Sequence, residues 1–421
     1  MADGIKRQIR VGTGAPLLRK KRFGKRYNDF LLKNCLHNFA YDAQSEGPRG
    51  WYAYQLLRRS KHHELLCRRF RKRFAAVSER DSHHTDQAFA VALELYRDGR
   101  MKRGPIIAKF RELNAEPNAF DHGWGTVIHL GRKGLYAFME VAGRQVKGSA
   151  VGGSHTWVMR KDMVQRAIKE QKIELPPRKQ EENKHVRRYR RRVLERDYAR
   201  SAPPNIHSVQ DYAQLLEQIA TGQPVGRPRH VYKALTGEQL RELARYAREE
   251  ADPFRKAQYL RAFDYHTYPS DPLVFVADLD AKDPRLATAV SRIIGQWATL
   301  PVRRLARSRL KQRQDLPNAI ILLTAAFQES DDALIYRSIR HVRDQDELHA
   351  IGFAVAGILE RHPRARLHRT LDFLYAHGRC AVCRLGRSLQ LRTAGHLSAR
   401  RELEMRYDSY AVARATAPRK G

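Results

Sequence analysis

Cys380 and Cys383 form the chain's C-x-x-C, with His377 ahead of it and His396 behind. Thiolates and imidazoles are zinc ligands, and a closed zinc site takes four of them in a tetrahedron. Helical spacing sets the two thiols on one face, where His377 can join them. No second C-x-x-C completes the set. The pair therefore reads as small, half-buried residues at a helix start, and neither metal nor cofactor is expected. A thioredoxin-like redox role needs a strand-rich α/β surround, which the sequence lacks. His62-His63 and His83-His84 are adjacent pairs. Neighbours on a helix point apart, so neither pair is a natural chelate. The patterns H-E-x-x-H, G-x-S-x-G, and H-x-E with P-C-x-x-C are absent, as are the glycine-rich nucleotide fingerprints. Asp331-Asp332 and the stretch from Asp344 to Glu347 read as helix starts rather than paired catalytic carboxylates. Trp124, with Asp121 and His122, is the candidate for base stacking or repair chemistry. No catalytic residue is assigned, because an acid–base role is first a matter of geometry.

The charge is the largest departure from an average protein. Eighty Lys and Arg against 45 Asp and Glu leave +35, a balance that attracts nucleic acid, anionic membrane or an acidic protein. The cations fall in three blocks. Arg19-Lys20-Lys21-Arg22, with Lys25 and Arg26, precedes any clear helix, and residues 1–27 read as a basic flexible arm. Arg58-Arg59, Lys61, Arg68-Arg69 and Arg71-Lys72-Arg73 lie on helical spacing whose buried side is marked by Leu65, Leu66, Phe70 and Phe74. Lys184, Arg187, Arg188, Arg190, Arg191 and Arg192 form the third block around Tyr189. On a helix, Arg187, Arg190 and Arg191 share one face, while Arg188 and Arg192 share another. No continuous apolar stripe accompanies them, so this helix is expected to bridge two regions without deep burial.

Two readings of that block stay open: a solvated connector, or a surface that tracks phosphates. The candidate nucleic-acid contacts are Arg187, Arg188, Arg190, Arg191 and Arg192, with Arg68, Arg69, Arg71, Lys72 and Arg73. Tyr189 is the residue that would add stacking on single strands.

These cations need helices to hold them. Asn28-Asp29 can cap a first helix beginning with Phe30, Leu31 and Leu32, and a second follows Pro48. Further helical patterns run over 85–96 and 105–113. From Asp121 to Gly153 glycines crowd around the apolar run Leu135 to Val141. This stretch reads as an irregular insertion with a short strand or hairpin. Prolines bracket 176–204, read as a basic linker or helix. The domains are thus expected at 28–175 and 205–421.

Beyond 205 the pattern becomes regular. Asp283 can cap a helix with Pro284 in its first turn and Leu286, Val290, Ile293, Ile294 and Trp297 on one face. Starts at Asp252, Asp283, Leu316, Asp346 and Cys380 recur about every 30 to 34 residues, a period of helical repeats. Leu279-Asp280-Ala281-Lys282-Asp283-Pro284-Arg285-Leu286, then Ala289-Val290 and Ile294-Gly295, resembles a HEAT-type repeat. Tyr41-Asp42 with Arg49, and Tyr407-Asp408 with Arg414, are weaker echoes. The resemblance is clearest over 230–410. It implies an all-α chain, an α-solenoid of HEAT-like helix pairs, serving as a scaffold for protein or nucleic acid partners. It also implies an alternative, since some HEAT-like relatives are DNA glycosylases.

The expected function is therefore a non-enzymatic helical-repeat scaffold that binds a protein or a polyanionic partner, nucleic acid included, through a basic surface. The alternative is a nucleic-acid-processing enzyme on a HEAT-like frame, such as a DNA glycosylase. No apolar run long enough to span a membrane occurs. Residues 1–28 lack a signal-peptide core, and four cysteines make no disulfide framework. A reducing cytoplasm is the expected setting.

Overall fold

The computed structural model describes residues 2–78, 82–115, 122–146, 155–195, 211–223, 225 and 229–416. Among them the chain is all-helical, and its one extended pairing is an isolated bridge between Phe23 and Ser60. No helix among the described residues is long and apolar enough to cross a membrane. The chain divides into two compact units. The first takes Met1–Pro204 with Arg379–Leu385 and Ser398–Gly421; the second takes Asn205–Gly378 with Gly386–Leu397.

The first unit is built on helices Asn28–Leu36, Gly50–Arg58, His63–Ala75 and Ser82–Arg97, which pack on one another. Their shared core includes Leu31, Tyr52, Leu56, Phe70 and Phe89, all withdrawn from water. Phe74 meets Phe89 edge to face at 5.2 Å, the geometry ring quadrupoles favour. Helix Arg103–Leu113 then packs on helix Gly131–Gln145.

Four expectations for this unit are corrected. Residues 1–27 are no free arm: Ala2–Val11 is a helix, and Ile5, Ile9, Leu17, Phe23 and Tyr27 are buried. Ile5 and Ile9, four apart, give this helix an apolar face that outweighs the basic composition. The glycine-rich stretch is also helical where described, with Leu135, Phe138 and Met139 buried in helix Gly131–Gln145. Here two glycines serve close approach rather than chain reversal. A Cβ on Gly134 would stand 2.2 Å from the Val127 carbonyl oxygen, and one on Gly143 only 1.9 Å from that of His185. Residues 147–154 lie outside the described residues, as does Asp121.

The described part of 176–204 does not run as a solvated connector. Helix Lys184–Tyr189 lies against Gly131–Gln145, and Val186, Tyr189 and Val193 are fully buried. Spaced three and four apart, these three make the apolar stripe that the sequence reading missed. Last, the C-terminal stretch is divided: Arg379–Leu385 and Ser398–Gly421 belong with the first unit rather than the second.

In the second unit the helix starts follow their caps. Asp252, Asp283 and Asp344 accept backbone N–H bonds from Arg255, Arg285 and Glu347 at 2.8, 2.9 and 2.8 Å, and Pro253 and Pro284 occupy first turns. Each cap satisfies N–H groups that helix geometry leaves without an intrahelical partner. Helices Pro284–Ile294, Leu316–Ile321 and Gln345–Arg361 contact one another in succession. Leu300–Gln312, Asp331–Ile339 and His368–His377 do the same in a second row. Polar ties cross from each helix pair to the next. The Ser338 hydroxyl donates to the Leu310 carbonyl at 2.8 Å, and the Ala325 N–H to that of Gly295 at 2.9 Å. Asp331, which opens its helix, is fully buried and accepts from Arg303 at 3.0 Å and also from Arg307. Its neighbour Asp332 accepts from the Thr370 hydroxyl at 2.7 Å. Both carboxylates are thus engaged in structural bonds.

Candidate nucleic-acid interface

The second basic block is divided: Arg58 ends helix Gly50–Arg58, Arg59 and Lys61 follow it, and Arg68 to Arg73 lie on helix His63–Ala75. Leu66, Cys67, Phe70 and Phe74 face inward, and burial lifts the Cys67 thiol to about 11. Arg68, Arg71, Lys72 and Arg73 are exposed. Leu65 stands exposed with them, contrary to its expected burial. Arg69 is half-buried and pairs with Asp29 at 2.9 Å. Arg71 donates to the Arg100 carbonyl at 2.9 Å. Arg100 in turn bonds Asp98 and Glu64. Hydrogen bonds from Tyr54 and Arg100 hold the Asp98 carboxyl below its ordinary range.

The first block is joined to the second through Phe23. The Phe23 N–H donates to the Arg59 carbonyl and the Lys61 N–H to the Phe23 carbonyl, both at 2.9 Å. The Arg59 guanidinium also donates to the Arg19 carbonyl. Phe23 itself is buried and meets Tyr27 edge to face at 5.4 Å. With this segment pinned, Lys20, Lys21, Arg22, Lys25 and Arg26 stay exposed beside Arg58 and Lys61. Two blocks some thirty residues apart in sequence are thereby brought next to each other, and helix His63–Ala75 follows directly on the second. The sequence reading left the first block's cations out of the site. Its available signal was Phe23 and Tyr27, apolar rings interleaved with the charges.

The third block does not form the solvent-facing ridge expected of it. Arg187 and Arg191 are exposed, while Arg188, Arg190 and Arg192 are half-buried. Arg190 donates to the Pro176 carbonyl at 2.7 Å, Arg188 to that of Gly143 at 3.4 Å. Tyr189 is enclosed and stands edge to face with Phe138 at 5.6 Å. It has no face left for a base, so its stacking role is withdrawn. Trp124 is likewise half-buried, tilted against Phe138 at 6.5 Å. His122 is buried, its backbone bonded to the Asn114 side chain.

The second unit holds a groove of about 860 Å³ along its first row of helices. Its charged lining is mixed: Arg229, Arg292 and Arg361 against Asp264 and Glu360. Asp264 accepts from Arg292 at 2.9 Å, and burial raises its carboxyl above the usual range. Such a groove does not focus field of one sign, as a phosphate-tracking channel does. Comparison with protein-family models, with curated proteins and with solved structures finds no match to this chain.

Proposed function

We propose that this protein is a non-enzymatic scaffold that holds a polyanion, foremost a nucleic acid, on the basic surface of its first unit. The observation that carries this reading is the Phe23–Ser60 bridge, which brings two separate cationic blocks next to each other and supports a shared basic surface. Exposed Lys and Arg in that density neutralise phosphates and release counterions, an affinity without base readout. The second unit we read as an α-solenoid of HEAT-like helix pairs. Its two rows of helices and the ties between successive pairs support that arrangement. The near-neutral groove suits a protein segment better than a nucleic acid.

The test is a fluorescence-anisotropy titration of duplex and single-stranded oligonucleotides at several salt concentrations. If about 6 to 10 phosphates are contacted, affinity should fall by about 10³ to 10⁵-fold between 50 and 200 mM salt. Reversing Lys20, Lys21, Arg22, Arg68 and Lys72 to Glu should weaken every sequence alike and flatten the salt slope. Reversing Arg187 and Arg191 should do so less. No binding at low salt, or binding untouched by the five reversals, would refute the polyanion reading.

A further inference from the structure

Lys102, Arg103, Arg111, Arg132 and Lys133 line one cleft of the first unit, about 1210 Å³ in volume. No carboxylate is among its described lining residues. Arg111 is answered from outside the cleft by Glu140 at 2.8 Å. The other four cations form no ion pair among the described residues, and all four are exposed. Arg132 instead lies over the Tyr136 ring, 5.4 Å from its centroid. The remaining wall is largely apolar, with Met101, Pro105 and Ile107.

The backbone adds to the same field. Helices Arg103–Leu113 and Gly131–Gln145 both begin at this cleft, with no side-chain cap and no acidic residue in the first turn. Gln171 takes the Gly131 N–H at 2.9 Å, but Arg132 and Lys133 follow it directly. A Cβ on Gly131 would stand 3.9 Å from Arg103 Nη1, so one helix's arginine sits at the start of the other helix. A helix start carries partial positive charge. Cations placed there oppose the fold, unless an anion comes between them.

We propose that this cleft is a binding site for the phosphate monoester of a nucleotide. The phosphate lies between the two helix starts with Arg103, Arg132 and Lys133, and the nucleoside rests on the Met101, Pro105 and Ile107 wall. Guanidinium groups match phosphate oxygens two at a time, and helix N–H groups complete such cradles. The ligand is a free mononucleotide or the terminal phosphate of a strand. The Arg71 bond to the Arg100 carbonyl sets the cleft's Lys102 edge beside the basic helix. The proposal stands on the cleft alone and does not require the scaffold reading.

The experiment uses the full chain and isothermal titration with AMP, adenosine and sulfate, then oligonucleotides with and without a terminal phosphate. AMP should bind, adenosine should not, and sulfate should compete only weakly. Arg103→Glu with Arg132→Glu should reduce AMP affinity by roughly tenfold or more for each lost charge-assisted contact. The same pair should raise the melting temperature, because acidic residues favour helix starts. Loss of binding in a more stable protein separates ligand recognition from misfolding. Arg187→Glu with Arg191→Glu should leave AMP binding in place. Preference for the phosphate-ended strand assigns the site to strand ends; AMP binding without that preference assigns it to the free nucleotide. The proposal is overturned if adenosine binds as AMP does, if sulfate competes equally, or if the cleft reversals leave AMP affinity unchanged.

Discussion

Arg384 and Asp408 form a two-pronged ion pair inside the first unit, with Nη2 2.9 Å from Oδ1 and Nε 3.2 Å from Oδ2. Their side chains are only 1% and 3% exposed. Close by, Arg49 donates to Glu46 at 2.7 Å and to the Arg10 carbonyl at 2.8 Å. The Ser409 N–H donates to the Gly12 carbonyl at 2.8 Å. These bonds tie both ends of the chain into one unit.

A buried pair costs most when one partner is left behind. Asp408→Ala should therefore destabilise the first unit by about 3–5 kcal/mol, read by chemical denaturation. Arg384→Met with Asp408→Leu should recover much of that loss, since apolar side chains replace buried charge with little penalty. A neutral Asp408→Ala would show that the pair is not closed to water.

Tyr189 should matter to stability and not to strand binding. Its ring is enclosed against Phe138, and truncating a buried aromatic to Ala costs about 3–5 kcal/mol. Tyr189→Ala should lower the thermal midpoint. Affinity for single strands, measured where the variant is fully folded, should stay as it was. A variant that melts normally yet binds single strands more weakly would contradict this placement.

Gly295 caps helix Pro284–Ile294 where another backbone passes over it. A Cβ there would stand 2.3 Å from the Ile321 carbonyl oxygen, so Gly295→Ala must push two helices apart. Overpacking of this kind costs about 1–3 kcal/mol. Gly357 makes the control, since a Cβ there meets only Thr324 Oγ1 at 3.9 Å. It lies within helix Gln345–Arg361, where Ala is favoured over Gly by up to about 1 kcal/mol. Denaturant midpoints of the two variants should move in opposite directions. Equal shifts would deny the close approach at Gly295.

His129 should give the first unit a pH dependence. Burial, and then the charge of Arg97, holds its imidazole below the ordinary value. The unfolded chain, titrating near about 6.5, then binds a proton that the folded chain refuses. Stability should fall as pH drops below that value and level off under the folded one. His185 is displaced the same way, by burial first and then by Arg144. His129→Gln should flatten part of the slope between pH 7 and 5. Stability that instead declines as pH rises through this window would reverse the sign and remove His129 as its source.

The sequence by itself determined many of the helices and their starts, though not Ala2–Val11 or Gly131–Gln145. Caps such as Asp283 with Pro284, and apolar spacing such as Leu286, Val290 and Ile294, act within one or two turns, so they are legible in a linear reading. The spacing of helix starts beyond residue 205 is legible for the same reason. What the charges do was not. The Arg19–Arg22 and Arg58–Lys61 cations are neighbours only because Phe23 bonds across to Arg59 and Lys61, and no local rule encodes that partner. Arg103 and Arg132 meet at one cleft because two helix starts converge there. Tyr189 left its expected surface because Gly143, lacking a Cβ, lets the His185 backbone come close. Helix formation is decided by neighbours in the chain, whereas burial and charge convergence are decided by contacts between distant segments, which only the folded chain brings together.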